Sequence, residues 1–196
     1  MRKASMFLWI AFLFTGCVHV TEPLSDPNKA EPDKRLLGKW RQPGKKHYVI
    51  DSPPVKGHPK ALIRAALNKA GKDVHEFWFI TTTIGKNTYA TIYLKDDDAK
   101  PVAGYADFRQ EGAFEKWNKG NKRSYFIFRY VVDGDKLTVD GGSEQSVKEV
   151  MKDQDIQGVS GRFQTPPGWL AKYLDKHGPQ TLFDGKNVEV WRRPIE

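Results

Sequence analysis

The chain has a single cysteine, Cys17, in 196 residues, so no disulfide can form within it and the fold must stand on its core. Paired metal-ligand spacing is also missing. The five histidines, His19, His47, His58, His75 and His177, are scattered, and no His-Glu-x-x-His places two of them on one helix face. Gly158-Val159-Ser160-Gly161 stops short of a nucleophile elbow, because Arg162 stands where the final glycine belongs, and it reads as a turn. Asp96-Asp97-Asp98 offers oxygen ligands, but no following Gly and Glu complete a calcium loop, so it reads as a charged hairpin end. No catalytic constellation can be assembled, and neither a metal nor a cofactor is expected. A bilayer-spanning run is lacking too: about 20 apolar residues are needed, and the run Met6 to Phe14 breaks at Thr15-Gly16.

What is present begins at the N-terminus. Arg2 and Lys3 precede that short apolar run, and no acidic residue occurs before Glu22, which is the order of a secretory signal. Phe14-Thr15-Gly16-Cys17 resembles the lipobox of bacterial lipoproteins, with Phe14 where Leu is usual. The resemblance implies diacylglycerol on the Cys17 sulfur, removal of residues 1–16 and acylation of the new amino group. Each acyl CH₂ contributes about 0.8 kcal/mol of membrane affinity and a single chain holds only marginally, so two or three chains would anchor durably. Val18 is not the Asp that retains such proteins in the inner membrane, so the periplasmic face of an outer membrane is the expected place in a two-membrane bacterium.

Cleavage would remove only Arg2 and Lys3 among the charged residues, lowering the formal net charge from +8 to +6. Residues 18–35 contain three prolines and few large apolar side chains, which predicts an extended tether. Residues 36–196 then suffice for one domain. Its lysines, dense at Lys45-Lys46 and at Lys116, Lys119, Lys122 and Arg123, read either as a solvated face or as a surface toward anionic headgroups. Nucleic acid is not an expected partner of an exported chain.

Within the domain, short apolar runs alternate with turn residues. Strands are expected from Leu36-Leu37-Gly38-Lys39-Trp40, at 46–50, 74–84, 88–94, 105–109, 124–132 and 137–139, with 162–164 extended and a last strand at 188–193. A short amphipathic helix is expected from Pro59 to Gly71, where Ala61, Leu62, Ala65, Ala66 and Leu67 have helical spacing. A helix capped by Ser143 and another beginning near Pro166-Pro167-Gly168 complete the pattern. The strands at 74–84 and 124–132 are apolar on both faces, Phe77 and Phe79 against Trp78 and Ile80, and Phe126 and Phe128 against Tyr125 and Ile127. One face should fill a barrel or sandwich interior, and the other should lie under helices or a partner.

The fold class is therefore α+β and β-rich, an antiparallel barrel or strongly curved sheet with two or three short helices. Gly38-Lys39-Trp40 resembles the Gly-x-Trp signature of lipocalins, and Arg192, within Trp191-Arg192-Arg193 on the last strand, offers the late arginine that in that family lies across the tryptophan. The resemblance implies an up-and-down barrel plugged at one end by Trp40. Two functions are compatible with these readings: a lipid-anchored envelope protein carrying a small apolar ligand or lipid, and a structural lipoprotein docking onto another envelope component. His75, Glu76, Glu115, Lys116 and Trp117 are the candidate pocket residues.

Overall fold

The computed structural model describes residues 18–42, 46–69, 72–95, 105–120, 123–153, 158–159, 162–163 and 166–194. The segment richest in aromatic and β-branched residues forms the longest strand, β5 (Lys72–Ile84), as that composition favours. Gly85 takes a positive φ in the turn that returns it as β6 (Asn87–Tyr93). Around these lie β1 (Val18–Val20), β2 (Gly38–Gln42), β3 (Lys46–Asp51), β4 (Ile63–Lys69), β7 (Tyr125–Asp133), β8 (Lys136–Asp140), β9 (Gly158–Val159), β10 (Arg162–Phe163) and β11 (Val188–Arg192). The helices are α1 (Ala113–Asn118), α2 (Glu144–Asp153) and α3 (Trp169–His177).

Strands β2 to β8 pair consecutively and antiparallel, β11 pairs with both β8 and β2, and the sheet closes into an eight-stranded barrel. Strand β1 extends β7 beside the barrel, and β10 and β9 continue from it.

The two-faced strands segregate as expected. Phe79, Ile92 and Phe126 belong to an interior cluster with Trp40, Tyr48 and Trp191, and Phe77 and Phe128 pack against it. Trp78, Ile80, Tyr93, Tyr125 and Ile127 belong to a second cluster outside the barrel, where Phe114 of α1, Val147 and Val150 of α2, and Leu170 and Leu174 of α3 cover them. Ser143 caps α2 as predicted, accepting from the Ser146 amide at 3.0 Å.

Four expectations change. The segment predicted as a helix over 59–71 contains β4 instead: Ile63, Ala65 and Leu67 alternate toward the interior cluster. Closing the ring requires a strand between β3 and β5, and its ladder outweighs alanine's helical preference of a few tenths of a kcal/mol per residue. Residues 18–20, read as part of a tether, form β1 instead, with Val18 paired to Ile127 and both buried. Leu24 is buried in the same outer cluster, so this stretch is packed against the barrel. The strand expected over 105–109 reduces to a single bridge, Tyr105 to Leu94, after which Phe108 inserts into the outer cluster. Helix α1 arises where no helix was expected, with Phe114 and Trp117 presenting one apolar side. Cys17 and the signal, Asp96-Asp97-Asp98, Ser160 and Gly161 lie outside the described residues.

Candidate functional site

One end of the barrel is closed by the signature tryptophan. Trp40 is fully buried and donates its Nε1–H to the Leu36 carbonyl at 2.7 Å, at the end of a 3-10 turn capped by Asp33. The arginine across it is Arg193, whose guanidinium carbon lies 4.4 Å from the ring centroid. Arg193 also donates to the carbonyls of Leu37 at 3.2 Å and Arg35 at 2.8 Å. Arg192, expected in that role, points outward and sits 3.6 Å from Asp135 at the exposed surface. Strand alternation explains the exchange: Trp191 faces the interior, so Arg193 shares its side and Arg192 does not.

Gly38 has φ +121°, and a Cβ there would stand 2.7 Å from Arg193 Nη1, so the glycine admits the guanidinium to its place. Tyr130 completes this end from within. It donates to Asp33 Oδ2 at 2.9 Å, and burial and the Asp33 charge raise its pKa.

Above this plug the interior is not filled. A cavity of about 340 Å³ remains, open at the opposite end beside Gly141, Lys186 and Asn187. Its wall is mainly aromatic and aliphatic, with Leu36, Ile50, Phe77, Phe79, Ile92 and Phe128 among the lining residues. Tyr48 and Trp191 both line the cavity, their rings stacked one against the other at 4.7 Å and 15°. Polar groups are few. Glu189 Oε2 accepts from Gln42 Nε2 at 2.6 Å and from Trp191 Nε1 at 3.0 Å. Burial and the Glu189 charge push the Tyr48 phenol up to about 12, which keeps it protonated and able to donate.

The mouth is braced by backbone and side-chain bonds. Asp140 accepts from the amides of Gly142 at 3.0 Å and Gly185 at 3.2 Å, and Asn187 donates to the Gly142 carbonyl. Lys186 lies 3.0 Å from Asp184, and the bond from its own amide to that carboxylate chiefly holds Asp184 down to about 2.

The pocket candidates chosen from sequence lie elsewhere. Glu76 joins an outer ion network with Arg64 at 3.6 Å and Arg109 at 3.2 Å. His75 is exposed against Tyr105, and Trp117 donates to the Leu94 carbonyl at 3.0 Å within the outer aromatic cluster. Glu115 sits beside Gly57, and Lys116 follows it on α1. Sequence reasoning missed Gln42, Tyr48 and Glu189. The signal available for Glu189 was its register, two residues before Trp191 on a strand whose alternate positions face inward.

Among the described residues no group of three or more His, Cys, Asp or Glu side chains could hold a metal ion, and no helix is long and apolar enough to cross a membrane. The chain matches no protein-family model, no curated protein and no solved structure.

Proposed function

We propose that this protein is a non-catalytic, lipid-anchored barrel of a bacterial cell envelope that carries a small apolar ligand in its interior. The observation that carries this reading is the open cavity of about 340 Å³ with an apolar, largely aromatic wall. That size lies at the lower end of the usual range for ligand pockets, roughly 300–1,000 Å³. At about 30 Å³ for each water-sized atom it accommodates about eleven non-hydrogen atoms. An eight-stranded barrel is also the size at which the interior either fills with side chains or holds one small ligand. The alternative, docking through an apolar surface, has less support, because the large apolar residues exposed among those described are Val131 and Val188.

The anchor rests on Arg2, Lys3, the apolar run and Thr15-Gly16-Cys17. With Val18 already paired to Ile127, an acylated Cys17 would join the barrel directly, without a spacer.

The cavity is tested with Ala90, which lines it on β6. Ala90→Trp should abolish binding of octan-1-ol measured by calorimetry while the circular dichroism of the barrel persists. Undiminished octanol binding would refute the cavity as the site. For the anchor, Cys17→Ser should eliminate incorporation of labelled palmitate, and continued labelling would remove the lipobox reading.

A further inference from the structure

Two charged side chains line the cavity, and they are not equivalent. Lys186 stands at the mouth, largely exposed, with its ammonium 3.0 Å from Asp184. Glu189 faces a wall that is mainly aromatic and aliphatic and has no cationic partner among the described residues. Its hydrogen-bond donors there, the Gln42 amide and the Trp191 indole, are both neutral and both use Oε2. Holding that amide with its NH₂ toward the carboxylate leaves Gln42 Oε1 buried and without a partner among the described residues. Among the described residues two neutral donors orient this negative charge, and no cationic side chain meets it.

We propose that the cavity takes an apolar ligand bearing a protonated amine, whose ammonium pairs with Glu189 while its apolar body lies against Tyr48, Trp191 and the phenylalanines beyond. This rests on the cavity reading above and specifies its ligand class. A half-buried carboxylate, which keeps only part of its water shell, favours a cationic partner that restores the solvation it has lost. The Tyr48 and Trp191 rings add a second attraction, because an ammonium placed over an aromatic face meets its negative quadrupole. The Tyr48 hydroxyl, held protonated by burial and the adjacent charge, supplies no competing anion. A fatty acid fits poorly, since its carboxylate would meet Glu189 within the same wall.

The chain's net charge of +8 opposes any cation at long range. Screening confines that opposition to about 8 Å at physiological ionic strength, so the preference has to come from contact inside the cavity.

The experiment compares octylamine, octan-1-ol and octanoate, which share one chain length and fit the cavity, binding to the purified protein and to Glu189→Gln. Octylamine, protonated at neutral pH like a lysine side chain, should bind about tenfold more tightly than octanol, the difference expected between an ion pair with the Glu189 carboxylate and a hydrogen bond to it from a neutral hydroxyl. Octanoate should bind more weakly than either. In Glu189→Gln the amine preference should collapse while octanol affinity stays within about twofold, which separates a lost charge from a damaged pocket. Wild-type protein that binds amine and alcohol alike, or prefers octanoate, overturns the inference while leaving the cavity reading in place. An amine preference that survives Glu189→Gln overturns it as well. Failure of all three ligands to bind removes both.

Discussion

Replacing Arg193 by alanine should destabilise the barrel several-fold more than replacing its neighbour Arg192, although the two are adjacent and carry the same charge. The attraction between the Arg193 guanidinium and the Trp40 ring, at 4.4 Å, is worth about 0.5–2 kcal/mol. The same substitution removes two charged hydrogen bonds, to Leu37 at 3.2 Å and Arg35 at 2.8 Å, and because the second is exposed they add together about 1–2 kcal/mol. The sum is roughly 1.5–4 kcal/mol, which in a domain of this size lowers the melting temperature by about 3–16 °C. Among the described residues Arg192 has only a long, exposed pair with Asp135 at 3.6 Å, so its removal should cost less than about 1 kcal/mol.

Thermal and urea unfolding followed by tryptophan fluorescence measures both costs, since Trp40 itself reports on the plug. Gly38→Ala supplies an independent approach: its Cβ would occupy the space 2.7 Å from Arg193 Nη1, at a φ of +121° that alanine resists. That substitution should displace the guanidinium, so its cost and that of Arg193→Ala should add to less than their sum in the double variant. Equal costs for the two arginines, or full additivity with Gly38→Ala, would refute the plug as described.

Thr91→Val should stabilise the protein by about 1 kcal/mol, because the Thr91 hydroxyl is fully buried without a hydrogen-bond partner among the described residues and valine preserves its shape; a lower urea midpoint would show that the hydroxyl has a use. His58 predicts a pH dependence. Its ring lies 5.6 Å from Trp78 and 6.2 Å from Phe108 and Phe114, and burial there lowers its pKa below 6.5 despite the opposing charge of Glu115. Below that value the unfolded chain binds the proton more readily than the folded one, so this contribution to stability is lost as pH falls through the window beneath 6.5. His58→Phe should flatten the decline in melting temperature between about pH 7.5 and about pH 5.5, and an unchanged slope would assign the decline elsewhere.

The parts of this fold legible in the sequence are those governed by local chemistry. Aromatic and β-branched density located β5, β6 and β7, and the doubly apolar faces of β5 and β7 announced an inner and an outer core before any pairing was known. The Ser143 cap announced α2. What was not legible depends on partners far along the chain. Val18-His19-Val20 is too short to show a period, and its strand exists because β7 offers an edge. In β4 the alanines give helical spacing on paper, whereas in the barrel Ala65 stands opposite Phe77 and leaves that ring its volume. The cavity residues Gln42 and Glu189 come from strands that are 147 positions apart in sequence, so no local pattern could join them.

The two cores differ in how completely they are packed. Outside the barrel, Trp78, Tyr89, Tyr93, Tyr125 and Ile127 are all at most 1% exposed and lie under helices and β1, so the outer layer is packed as a protein interior normally is. Inside, Ala90 lines the cavity opposite Phe128, and the space its small side chain leaves persists as part of that cavity. A dry void of 340 Å³ would cost roughly 8 kcal/mol at about 24 cal/mol per Å³. Glu189 and Lys186 reduce that cost by admitting water at the open end, and an apolar ligand that displaces the water recovers packing the side chains forgo. The helical outer layer is what permits this arrangement, because a barrel stabilised from outside can keep its interior underfilled.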